Sequence, residues 1–272
     1  MSKVLSKTLL YGILTVLALI FIIPFYVLIV TSLKSFEEVS FMTMWNLPSQ
    51  IDFTSFGRAF QELYPNLINS FLMVIPASII SAVLGSLNGY ALSKWKFKGS
   101  DLIFTILLLG MFIPYQSILI PLITTIKNLG LYNTIPGLVL VHVVYGLPMT
   151  TLMFRNFYAS VPQTLIEAAQ IDGSGFFRTY FHVMMPLSVT GFVVVGIWQF
   201  TNIWNEFLFA ITITGHDKQP VMVALQNLAG SQVVEWNVQM AGALLAAIPT
   251  MIVYIVAGRY FIQGLLAGSV KG

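Results

Sequence analysis

The residues best equipped to do chemistry sit close together in one apolar stretch. Trp198, Asn202 and Asn205 recur at i, i+4 and i+7, and Gln199, Asn202 and Glu206 at i, i+3 and i+7. On a helix these two sets form overlapping stripes. Amides, a carboxylate and an indole face supply hydrogen-bonding groups beside an aromatic platform, which is the chemistry that recognises a hydroxyl-rich solute. Gln199 lies near the middle of residues 187–213. If that stretch crosses a bilayer, such groups are costly unless they face a bundle interior or a water-filled path. Two readings stay open: the stripe lines a path, or it bonds only to a neighbouring helix.

Catalytic chemistry has no comparable support. His142 lies among valines, where a histidine is neutral and hydrogen-bonded between helices, and His182 and His216 have no companions at metal-ligand spacing. Acids are almost absent from the apolar stretches, so neither a Ser/His/Asp set nor a carboxylate pair is available. No glycine is followed directly by lysine, which excludes the Gly-x-x-x-x-Gly-Lys phosphate loop. Any ATP hydrolysis must therefore belong to another polypeptide. The absence of cysteine excludes disulfides and thiolate metal sites.

The elements that position the stripe follow from composition. Charged residues are 8% and hydrophobic residues 57% of the 272, with mean hydropathy +0.85. A water-soluble domain carries about 25% charge, so an all-α polytopic membrane protein is expected. One transmembrane domain over 1–272 accommodates six spans, at about 8–30, 69–93, 102–125, 135–154, 187–213 and 238–257. The first has a basic start like a signal peptide, but its apolar run is too long and no cleavage site follows. Placing both termini, 94–98 and 155–187 on one side gathers Lys3, Lys7, Lys94, Lys96, Lys98, Arg155, Arg178, Arg259 and Lys271 there. Lys34, Arg58, Lys127 and Lys218 remain opposite. The excess of basic residues puts the termini in the cytoplasm.

Prolines 24, 76, 114, 121, 148 and 249 fall inside these spans and predict kinks. Gly85 and Gly89, one turn apart, offer a surface for close helix packing. Residues 31–68 are aromatic-rich and polar, readable either as an interfacial segment or as a tethered loop. Residues 126–134 and 214–237 read as shorter outside connections.

The most informative stretch is 155–187. Pro162 suits the start of a helix, which continues from Gln163 to Ile171 with Ala168 and Ala169 beside Glu167. Asp172-Gly173-Ser174-Gly175 supplies a turn and a fresh N-cap. Phe176–Met185 reads as a second short helix stopped by Pro186. Such a compact helix-turn-helix looks like a docking element.

Glu167-Ala168-Ala169, Gly173, and Val183-x-Met185-Pro186 together resemble the cytoplasmic EAA loop of binding-protein-dependent ABC importer permeases, with Val183 and Met185 where that family prefers Ile and Leu. Val161-Pro162 and Ile171-Asp172-Gly173 resemble its carbohydrate-import branch, of the maltose-type second permease, as do Trp204-Asn205-Glu206-Phe207 and the glycine-rich ending Arg259–Gly272. The resemblance implies a sugar-importing permease subunit in a bacterial or archaeal cytoplasmic membrane. Implied partners are a second permease, two cytoplasmic ATPase subunits and an extracytoplasmic solute-binding protein, with ATP and Mg on the ATPase and no cofactor in this chain. It also implies that Pro162, Glu167, Ala168, Ala169, Asp172, Gly173 and Pro186 couple the chain to the ATPase. In maltose-type relatives the sugar contacts come largely from the companion permease. Glycerol-phosphate or polyol import, or secondary transport, are the competing readings.

Overall fold

A computed structural model describes residues 3–95, 97–230 and 234–269, with side chains from 7 to 258. Lys96, Lys271 and the side chains of the 259–272 ending lie outside the described residues. The described chain is built of helices joined by turns, without strands. In order come α1 (Lys3–Ser32), α2 (Thr54–Lys94), α3 (Ser100–Leu109), α4 (Leu119–Asn128), α5 (Ile135–Ala159), α6 (Gln163–Ile171) and α7 (Phe176–Thr179). They are followed by α8 (Met185–Leu187), α9 (Val189–Trp204), α10 (Leu208–Ile213), α11 (Val221–Ala229) and α12 (Trp236–Ser269). Among the described residues four helices are long and apolar enough to cross a membrane, or up to six if two bent pairs each count as one span.

Several boundaries differ from the sequence reading, each for a local reason. The second apolar stretch belongs to a 41-residue helix that begins at Thr54 rather than at 69. Phe56 and Ala59 keep helical spacing there and pack with Val238, Ala241 and Leu245. The charged residues Arg58 and Glu62 hide this face in a hydropathy reading. The stretch 102–125 is broken: its two halves bend by 92° around Pro114, which sits extended at ψ 119° between short 3-10 turns. Pro24, Pro148 and Pro249, by contrast, lie within continuous helices. Within 214–237, α11 forms where only a connection is expected.

The chain falls into two compact units. One comprises Met1–Pro65 with Ala224–Ile248, the other Asn66–Val223 with Pro249–Gly272. The second unit contains the docking element and the polar stripe. Its core joins Tyr90 of α2, Phe154 and Tyr158 of α5, Ile166 of α6, and Tyr180 and Met184 just beyond α7. Gly85 and Gly89 make the approach of α5 close, as their spacing predicts. A Cβ on Gly85 would strike Thr150, and one on Gly89 would lie 2.7 Å from the Arg155 backbone nitrogen.

Candidate functional site

The docking element is a built structure rather than a slack connection. Pro162 occupies the N-cap of α6, immediately before its first helical residue. At the other end Gly173 adopts φ +76°, its N–H reaches the Gln170 carbonyl at 3.0 Å, and the Ser174 N–H reaches the Ala169 carbonyl at 2.9 Å. These paired bonds form a Schellman motif, which needs a left-handed residue where glycine alone is unstrained. Gly175 then caps α7 in an extended conformation.

The second arm departs from expectation. Pro186 does not stop it: after α7 the backbone widens into a π-helical turn over Tyr180–Met184, and Pro186 sits in the first turn of α8. A proline there has no N–H to donate, and the π-turn runs directly ahead of it. The real break lies at Ser188, where the path bends by 78° into α9. The Ser188 hydroxyl donates back to the Met184 carbonyl at 2.8 Å and shares a 3.0 Å hydrogen bond with Tyr158 Oη.

Anchoring comes from an aromatic cluster absent from the sequence reading. Tyr90 packs its ring 4.9 Å from Phe176 and 5.6 Å from Tyr180, centroid to centroid. Trp95 Nε1 donates to Tyr90 Oη at 2.5 Å and stacks edge-on against Phe176. Behind them Tyr180 Oη donates to Ser86 Oγ at 3.0 Å, and Ser86 and Tyr158 share a 2.5 Å hydrogen bond. Lys94 Nζ donates to the Val161 carbonyl at 2.5 Å, clamping the chain just before Pro162. The available signal was five aromatic residues at 90, 95, 158, 176 and 180, but nothing in their spacing says they meet.

What faces outward decides what the element can do. Ile166 and Ala169 turn inward, so Ala169 serves packing within the chain and the close-approach surface falls to Ala168. Glu167, Ala168, Asp172 and Gly173 are exposed. Around them stand bare apolar side chains, with Ile171 86% and Phe177 62% exposed beside exposed Leu165 and Phe181. An acidic group in an apolar, small-residue surface on a rigid mount suits a protein groove.

The polar stripe divides. Gln199 is buried, and its amide donates to Ser81 Oγ at 3.1 Å and to the His142 carbonyl at 3.4 Å. Gly146 of α5 has no room for a side chain because a Cβ would run into that amide. Gln199 thus ties α9 to α2 and α5, the second of the two readings. Glu206 is not on the helix at all: α9 ends at Trp204, and Glu206 Oε1 and Oε2 accept from the Phe209 and Ala210 N–H groups at 2.7 and 3.2 Å. Its carboxylate caps α10 and lies 3.8 Å from His142 Nε2. Asn205 forms the C-cap of α9, one step past the regular helix. Trp198 is half-buried, whereas Asn202 and Asn205 are exposed and donate to carbonyls of their own helix, at 2.8 Å each. The part of the stripe left at the surface of the chain is therefore Asn202 and Asn205, with Trp198 half-buried beside them. Among the described residues no group of three or more His, Cys, Asp or Glu side chains could hold a metal.

Residues 83–267 match the family described as "binding-protein-dependent transport system inner membrane component". A probable ABC transporter permease of Pyrococcus horikoshii is 44% identical, covering 98% of both chains. The xylose/arabinose import permease of Haloferax volcanii is 33% identical over 90% of this chain and 87% of its own. In fold, a chain from the crystal structure of a bacterial ABC transporter that imports the acidic polysaccharide alginate superimposes with TM-score 0.82 at 22% identity, covering 96% of this chain and 99% of that one.

Proposed function

This chain belongs to the family of binding-protein-dependent transport system inner membrane components, and from that premise we propose that it is one permease subunit of an ATP-driven sugar importer. It is a transport component rather than an enzyme. The observation that carries the coupling role is the anchored 162–187 element, rigid within and apolar without. Docked in a groove of a separate ATPase, it would move as one body when the ATPase dimer closes on ATP and Mg. Glu167 would make the polar contact, Ala168 the close approach, and Gly173 the reversal between the two arms, with Pro162, Asp172 and Pro186 shaping its ends.

The sugar assignment is supported by the Haloferax relative, a xylose/arabinose import permease, and by the exposed amides of Asn202 and Asn205 beside the half-buried Trp198. In this reading the single transmembrane domain contributes six spans, both termini are cytoplasmic, and a second permease completes the path. Solute arrives from an extracytoplasmic binding protein. Affinity purification of the tagged chain from its native host tests the reading: an ATPase should copurify, and a chain that runs alone would contradict it.

A further inference from the structure

Among the described residues, the segment after α1 carries the barest apolar side chains. Phe41 and Met42 are each 93% exposed, and Leu47 and Trp45 stand bare beside them. Side chains like these are normally hidden, and isolated in water this cluster would be a liability. Yet the segment is folded. The Leu33 carbonyl accepts from the Asp52 N–H at 2.9 Å, closing its ends. Thr43 is its hub: its hydroxyl donates to the Glu38 carbonyl at 2.7 Å, and its own carbonyl accepts from the buried Lys34 Nζ at 2.6 Å.

One further bond fixes its level. Tyr26 Oη donates to the Trp45 carbonyl at 2.9 Å. Tyr26 lies six residues before the end of α1 at Ser32, about 9 Å along the helix axis. The segment therefore folds back beside the last turns of α1 instead of rising away from them. α1 is itself apolar, with only 6% of its most hydrophobic window buried within the chain.

We propose that residues 36–47 form a membrane-interface anchor, with Phe41, Met42 and Leu47 inserted among lipid headgroups and upper acyl chains at the C-terminal end of α1. The proposal rests on reading α1 as a membrane span but not on the transported solute or the ATPase. Continuity with the exposed apolar surface of α1 names lipid as the occupant. Trp45 and Tyr26 sit where amphipathic aromatics favour the boundary between hydrocarbon and water, and an apolar edge of this size inserts by about 5–10 Å. The anchor would hold the outer end of α1 at a fixed depth while other elements move.

The chain has no cysteine, so a nitroxide can be placed at one site at a time. Phe41→Cys and Met42→Cys alter side chains without packing partners. Each would be labelled in the full chain, assembled with its partner subunits in phosphatidylcholine–phosphatidylglycerol liposomes. Leu17→Cys serves as the lipid reference and Asp217→Cys as the aqueous one. Both test sites should collide with oxygen more than with a water-soluble nickel chelate, at a depth between the two references. A nickel-dominated, aqueous pattern would overturn the proposal. Shielding from both agents would also overturn it, because protein rather than lipid would then cover the segment.

Discussion

Tyr90 and Phe176, eighty-six positions apart, pack with ring centroids 4.9 Å apart and join the C-terminal end of α2 to the first turn of α7. Through Tyr90 the same helix also holds Trp95 and Tyr180. The docking element is thus fastened to the longest helix of the chain, so a displacement of one is a displacement of the other. In the proposed reading, that fastening would turn a contact on a loop into a movement of spans.

Tyr90→Ala should detach the element without unfolding the chain elsewhere. Truncating a fully buried aromatic costs roughly 3–5 kcal/mol, and Trp95 would lose its hydrogen-bond partner as well. Solute uptake should fall sharply, and limited proteolysis should cut within 172–176. Tyr90→Phe retains the stacking and should keep most uptake. Equal uptake by Tyr90→Ala and wild type would separate the cluster from coupling.

Gly146→Ala tests the junction around Gln199. An added methyl collides with the Gln199 amide, and overpacking of this kind costs about 1–3 kcal/mol. The variant should melt at lower temperature, and Gly146→Ala combined with Gln199→Ala should recover part of the loss. No recovery in the double variant would mean that the two residues do not share one space.

Asn202→Leu tests the solute face. The exposed Asn202 amide donates to the Trp198 carbonyl of its own helix, so the change should leave assembly and basal ATP hydrolysis intact. Losing a hydrogen bond of about 1 kcal/mol should weaken apparent solute affinity several-fold. Full retention of uptake would leave Asn202 outside the path.

Topology has its own test. A reporter fused after Gly272 should be active in the cytoplasm, and one inserted near Asp217 should be active outside. The opposite pattern would invert the chain and remove the docking element from any cytoplasmic ATPase.

The docking element was largely legible because its signals are local. Pro162, the alanines, Gly173 and the small polar turn act within a few residues, and Gly173 adopts the positive φ its position suggests. Gly85 and Gly89 were legible for the same reason. What escaped is non-local or balanced. The Tyr90 cluster joins residues far apart in sequence. The fifth apolar stretch read as one helix, because composition does not register that Glu206 would rather cap α10 than continue α9. Pro186 misled because the helical path runs past it, through a π-turn whose Tyr180 and Met184 are buried in the core.

The central claim is that the 162–187 element transmits ATPase movement to the spans, and a paired assay on Gly173→Val and Glu167→Arg tests it most directly. At Gly173 there is open space but a left-handed backbone, so valine costs about 1–2 kcal/mol of local strain and tilts the arms. At Glu167 the arginine reverses the charge of the exposed face. ATPase association by pull-down and solute uptake should be measured in the same vesicles. Both variants should insert normally, and each should either bind the ATPase weakly or bind it without driving uptake. Wild-type uptake by both would make the element a mere connection and contradict the account.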